Sequence, residues 1–447
     1  MNKHTSKIAV LTCLVLLVIG CTKEPEPLKS AAKVADFSPV AAPALLATVT
    51  EQGDPKIGLT LFEFSKLGGG VLYVSEQAGQ FRVVHNGMAG KAYSQIANVT
   101  LSPDGRRTAY SALVGGTWRL VVDGIEGQAV EESVVPEFSP DSRHITYQAR
   151  IGGQWHLILD GTNVFTAQKT ISRYDFNIDL KKVVYVETSA ASDKLRLIVS
   201  DLKLKKQKVV EDCGDLMITS DDKSRIAAIK QYNTKQRVIE LSFTQPDALK
   251  EGQLYDEISE LMVSEDGTAV AYIAKKDGSR VVVYNGREEA FPEGMLRGGF
   301  MFRPDRKGVG FVMAAEKGFY VQQAFSQQGA RERFYDEIVD LTYNKDGSLL
   351  AYGARKGKDT FVVVSGKDGP RFDMVVMPQF SPDGRFLVYR ARKNGKRFVV
   401  VADANGTVIK QHEPYEQVFQ PVFTGNGTSI AYGVKDGNKL MWKVEKL

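Results

Sequence analysis

Cysteine is nearly absent from this sequence: there are three in 447 residues, and Cys13 and Cys21 both belong to its first stretch. That leaves Cys213 alone, so no intramolecular disulfide can staple the remainder and its stability must come from packing. An isolated cysteine behaves more often as a small buried apolar residue than as a nucleophile, and nothing beside Cys213 supplies a base. Histidine is scarce too. Beyond the first stretch there are only His85, His144, His156 and His412, none in H-E-x-x-H or another metal-ligand spacing. No G-x-S-x-G elbow, phosphate-binding glycine loop or cofactor fingerprint occurs, so the expectation is of no metal, no cofactor and no catalytic centre. Charge of one sign is also lacking. The formal balance is +5, or +3 once Lys3 and Lys7 are set aside, without the clustered basic face of a nucleic-acid binder.

Long apolar runs are absent except at the start, where Lys3 and Lys7 precede Ile8 to Ile19 and then Gly20-Cys21. A charged region, an apolar region and a small residue before a cleavage point make residues 1–20 an export signal. The run is too short to span a bilayer comfortably. Val18-Ile19-Gly20-Cys21 resembles the lipobox of bacterial lipoproteins, which implies cleavage before Cys21 and lipidation (palmitate included) of that residue. Thr22 after the anchor resembles the outer-membrane sorting pattern, so the expected location is a lipid-anchored one on the outer membrane, facing the periplasm or the cell surface. Residues 21–43 carry Pro25, Pro27, Pro39 and Pro43 without periodicity, and read as anchor plus flexible tether.

What the sequence has in abundance is a turn. Leu101-Ser102-Pro103-Asp104-Gly105-Arg106, Phe138-Ser139-Pro140-Asp141-Ser142-Arg143 and Phe380-Ser381-Pro382-Asp383-Gly384-Arg385 are copies of one hexapeptide. Phe302-Arg303-Pro304-Asp305-Arg306 is a looser copy. Proline presets φ, aspartate bonds its own backbone, and glycine takes the left-handed position. Asp104, Asp141, Asp305 and Asp383 are therefore turn formers rather than general acids. Anchored at Ser65, Ser102, Ser139, Asn177, Thr219, Ser264, Arg303, Asn344, Ser381 and Thr424, the units recur every 37 to 45 residues. Each holds four short β-branched or aromatic segments divided by Gly, Asp and Asn, as in Phe386-Leu387-Val388-Tyr389 and Phe398-Val399-Val400-Val401. Four strands every forty residues is the period of a β-propeller blade, so the expected fold is all-β.

The F-S-P-D-G-R turn, the A-Y strand after it and the V-V-D-G close resemble the WD40-like repeats of TolB-type bacterial propellers over residues 57–447. Similar repeats occur in prolyl-oligopeptidase-like proteases, which add a hydrolase domain for which this chain has neither motif nor room. About ten units imply one closed ring, with two smaller propellers as the alternative. The last unit ends at its third strand, Leu440 to Val444, so the apolar segment 44–51 is expected to supply the missing fourth and close a propeller spanning 44–447.

On one face the passages between units pair an aromatic with an acid: Tyr174-Asp175, Tyr255-Asp256, Tyr335-Asp336, Phe372-Asp373 and Tyr415-Glu416. They form the candidate binding face, an acidic aromatic mouth within a rim of basic hairpins; the competing reading is that the aromatics pack between blades. Trp118, Trp155 and Trp442 fall in third strands and read as core. The resulting expectation is a membrane-anchored scaffold that binds an envelope protein or peptide, with a carbohydrate or exported polymer as the alternative ligand. A lyase or hydrolase built from dispersed carboxylates is a more remote alternative.

Overall fold

The computed structural model describes residues 42–49, 62–167, 173–177, 181–188, 194–202, 206–325, 333–424 and 427–447. Cys21, residues 22–41 of the expected tether and residues 50–51 of the expected closing segment lie outside them. Every regular element is a strand, and the strands form ten antiparallel sheets arranged as blades in a ring, a β-propeller. Blade 2 is typical: Ile96–Leu101, Thr108–Val114, Thr117–Val122 and Ile125–Val130 pair in that order. Blade 7 shows three strands, Met295–Phe302, Val309–Ala315 and Gly318–Ala324, among the described residues.

Blade 10 takes its outer strand from the opposite end of the chain. Ala44–Thr48 lies antiparallel to Lys439–Lys446, with Ala44 opposite Trp442 and Thr48 opposite Lys439. Ala47 is buried there with Leu440 and with Phe62, Val71, Tyr73 and Val84 of blade 1. The Phe64 and Phe419 rings meet at 4.5 Å across the same seam.

Each sheet exposes apolar residues on both faces of its second and third strands, and buries them against the blades on either side. Ten buried clusters result among the described residues, one at each junction between neighbours, from blades 1 and 2 round to blades 10 and 1. Cys213, on the first strand of blade 5, belongs to one of them, and burial pushes its thiol up to about 11. First strands of successive blades pack on each other, as those of blades 8 and 9 do, which places them at the narrow inner edge. Fourth strands such as Met88–Ala89 and Lys367–Asp368 are exposed at the rim.

The turn motif holds the opening of each second strand. The Ser102 hydroxyl donates to Asp104 at 2.6 Å and the Ser381 hydroxyl to Asp383 at 2.6 Å, while Arg385 N–H donates to the same carboxylate at 3.1 Å. Asp141 takes the equivalent bonds from Ser139 and Arg143, and Asp305 takes them from Arg303 and Lys307. In unit five the turn opens one residue later than the repeat of the sequence indicates. Ser220, not Thr219, bonds across the turn to Arg225 and donates to Asp222, because Thr219 still belongs to the strand Cys213–Thr219.

These carboxylates tie stability to acid. Burial pushes the Asp266 carboxyl up, but hydrogen bonds from Thr268 and Ser264 outweigh it and hold the group at about 2, below the ordinary 3.8. A depressed folded-state value stabilises the fold above the unfolded pKa and loses that contribution as pH falls through the folded one. Urea midpoints of the protein should therefore drop between pH 4 and 2, and less steeply in Asp266→Asn. Superimposed acid profiles for the two proteins would refute this role.

Candidate functional site

The aromatic–acid passages are the first place to look. Tyr255, Tyr335, Phe372 and Tyr415 are exposed by only 1%, 3%, 4% and 6%. Each makes an isolated bridge to the third strand of its own blade, as Tyr335 does to Phe319 of blade 7 where the chain leaves that blade. Each then turns its ring into a junction. Tyr255 meets Tyr272 edge-on at 5.9 Å, Tyr335 meets Tyr352 at 6.0 Å and Phe372 meets Tyr389 at 6.2 Å, always 17 residues on. The hydroxyls are also used: Tyr255 donates to Glu288 at 2.9 Å and Tyr335 to Asp368 at 3.2 Å. Burial raises the pKa of Tyr255 and Tyr335, as expected for phenols out of water.

The acids beside them cap hairpins. Asp256 accepts the N–H of Asp277 at 3.1 Å, Asp336 that of Gly357 at 2.6 Å and Asp373 that of Asn394 at 2.8 Å, each 21 residues on. Glu416 accepts from Lys435 Nζ at 2.7 Å. The expected open aromatic mouth is therefore replaced at these four passages by packed rings and satisfied carboxylates. The physical reason is economy of burial: a ring at the crossing seals the junction that the bend would otherwise open to water.

Tyr174 and Asp175 are different. They sit on the first strand of blade 4, Arg173–Phe176, and line a cavity of about 490 Å³ at the inner edge of blades 3 to 5. Glu132, Ser133, Val134, Val135 and Glu137 of blade 3 form one wall, Gln148 and Trp155 another, and Met217 and Thr219 of blade 5 the far side. Backbone anchoring presents this wall. Val134 N–H and C=O are both bonded by the Ser111 hydroxyl at 2.9 Å, and the Asn98 amide donates to the same carbonyl at 2.9 Å. With Val134 buried and fixed by blade 2, Val135 is pushed out to 62% exposure.

The charges in this cavity are not all spent. Asp175 is held by the Thr219 hydroxyl and by Lys223 Nζ at 2.6 Å. Glu132, Glu137 and Arg173 make no hydrogen bond or ion pair among the described residues. Burial, with Glu137 adding its charge, pushes the Tyr174 phenol up to about 12. No group of three or more His, Cys, Asp or Glu side chains is arranged to hold a metal ion among the described residues.

The inner strands carry a feature that sequence reasoning missed. Their pairing slips between Ala97 and Thr100, Ser259 and Met262, Val339 and Thr342, and Val376 and Gln379. The residue at each bulge, Asn98, Glu260, Asp340 or Met377, takes a φ between 52° and 55°. Asp340 uses that position to accept the N–H of Met377 on the next blade at 2.8 Å. Trp155, read from the sequence as core, is a cavity wall.

No family model matches the chain, and no curated protein matches it. Similar solved structures include a eukaryotic initiation factor, at 12% identity and TM-score 0.48, covering 79% of this chain and 98% of that one. TolB from Acinetobacter baumannii is similar at 15% identity and TM-score 0.27, covering 63% and 80%. The β-propeller domain of the Trilobed protease from Pyrococcus furiosus is similar at 14% identity and TM-score 0.30, covering 60% and 94%.

Proposed function

We propose that this propeller is an exported, lipid-anchored scaffold that seats a segment of another envelope protein in the cavity of blades 3 to 5. The observation carrying this is the exposed Val135 between three unspent charges, Glu132, Glu137 and Arg173. An apolar contact flanked by both signs of charge matches the side chains of a peptide, and each charge finds a counter-ion only when a partner arrives. A carbohydrate ligand fits less well: Trp155 and Tyr174 line the cavity, but the aromatics of the other four passages, which could have extended a stacking surface, are packed inside the junctions. The role is binding without chemistry, and no cofactor is part of it. The anchor in this reading is Cys21 with its tether, on the outer membrane.

Cross-linking in intact cells followed by affinity purification tests the site. The unaltered chain should bring down one defined protein. Val135→Asp combined with Arg173→Glu should reduce that capture by about 10-fold or more at an unchanged melting temperature, since both side chains are at the surface. Equal recovery of the partner by the double variant would remove the cavity from the mechanism.

A further inference from the structure

Successive residues of a strand point to opposite faces of its sheet, and this sorts the walls of the cavity into two sides. On blade 3, Ile145, Tyr147 and Ala149 of the second strand pack towards blade 2. Gln148, which alternates with them, therefore faces blade 4. So does Trp155 on the third strand, two residues before Leu157, which packs in the junction with blade 4. Phe138 packs towards blade 2, so its neighbour Glu137 also faces blade 4. Tyr174 looks back from blade 4. It packs against the cluster that holds Leu157 and Phe165, its ring 6.0 Å from that of Phe176, and its phenol feels the charge of Glu137.

Arg173 lies on the other side. Asp175 is bonded by Thr219 and Lys223 of blade 5, and Arg173, two residues before it on the same strand, shares that face. The strand Arg173–Phe176 thus stands between the cavity's free cation and Glu137. Two other cations on the facing sides of blades 3 and 4, Arg150 and Arg196, are spent on Glu131 at 3.2 Å and Glu187 at 2.6 Å. Glu137 has no ion-pair partner among the described residues, and Glu132 adds a second unpaired carboxylate to the same wall. The side of the cavity between blades 3 and 4 therefore combines unbalanced negative charge with two aromatic rings.

Resting on the partner reading above, we propose that this side takes a basic side chain of the docked segment, arginine by preference. Its guanidinium bonds the Glu137 carboxylate and lies against Trp155 and Tyr174. A guanidinium is planar, donates paired N–H groups to a carboxylate, stacks on aromatic faces and sheds water more readily than an ammonium. A lysine would meet the charge without the stack. Arg173 then meets an acidic group of the same segment, which is laid with its basic residue towards blade 3 and its acid towards blade 5.

Blocked dipeptides test the pocket before any partner is known. Acetyl-Val-Arg-amide, acetyl-Val-Lys-amide, acetyl-Val-Gln-amide and acetyl-Val-Glu-amide are titrated into the purified protein and followed by ligand-observed NMR. The arginine peptide should bind about 10-fold or more tightly than the glutamine and glutamate peptides, with the lysine peptide between them. Glu137→Gln should remove that preference at an unchanged melting temperature, because its side chain is exposed. Glu257→Gln, on the inner strand of blade 6, should leave the preference intact. Equal binding of the four peptides, binding of none, or an arginine preference that survives Glu137→Gln overturns the proposal. In cells, partner capture that falls with Val135→Asp and Arg173→Glu but not with Glu137→Gln removes the basic side chain and leaves the docking reading standing, so the two fail separately.

Discussion

Gly105→Ala is expected to destabilise the propeller by about 3–5 kcal/mol, whereas Gly384→Ala, at the same place in the same hexapeptide, should cost about 1–2 kcal/mol. The two glycines share a conformation, with φ of +75° and +74°. They differ in what surrounds them. A Cβ on Gly105 would stand 2.4 Å from the backbone nitrogen of Gly70 and 2.6 Å from Ser65 Oγ, while one on Gly384 meets nothing within 4 Å. At Gly384 only the left-handed conformation resists a side chain; at Gly105 blade 1 must also retreat, and its backbone there cannot swing aside. Urea midpoints measured side by side decide the matter. Equal losses would mean that blades 1 and 2 approach less closely at their turns than described.

Removing residues 44–48 is the second large effect, expected at about 3–5 kcal/mol together with concentration-dependent association. The deletion strips the partner from Lys439–Lys446 and opens the cluster of Ala47, Leu440, Phe62 and Tyr73. Leu45→Lys should be tolerated, because that side chain is 59% exposed. Thermal melting with size-exclusion chromatography at two concentrations reads both parts. A deletion variant that stays monomeric with an unchanged melting temperature would show that the ring does not depend on this strand.

The fold was legible because its signal is repeated. Ser, Asp and Gly recur at the turns for a local reason, their own side-chain and backbone chemistry, and local chemistry survives in every copy even where Pro is lost, as at Ser220 to Asp222. The candidate site was legible only in part. The passage aromatics stood out, but whether a ring faces solvent or a junction depends on a neighbour 17 residues ahead, and the acid's partner is a backbone N–H that leaves no residue type behind. The inner bulges left no trace for the same reason: Asn98, Glu260, Asp340 and Met377 share a backbone conformation and no side-chain chemistry. Val135 was invisible until Ser111 and Asn98 of another blade were seen to fix its neighbour.

The seam has a consequence in time. Ala44 and Trp442 are adjacent in the finished ring and 398 residues apart along the chain. A ribosome or translocon delivers the first of them long before the last, so blades 1 to 9 form against one neighbour after another while the ring is still an open crescent. Its two terminal faces, Phe62 and Tyr73 of blade 1 at one end and Val399 and Val401 of blade 9 at the other, stay wet until the last blade arrives. Closure is then the latest and least local event in folding, and loop-closure entropy makes it slow relative to blade formation. A chain stalled just short of Lys439 presents two sticky ends at once, which makes residues 439–447 the point at which successful molecules part from aggregating ones.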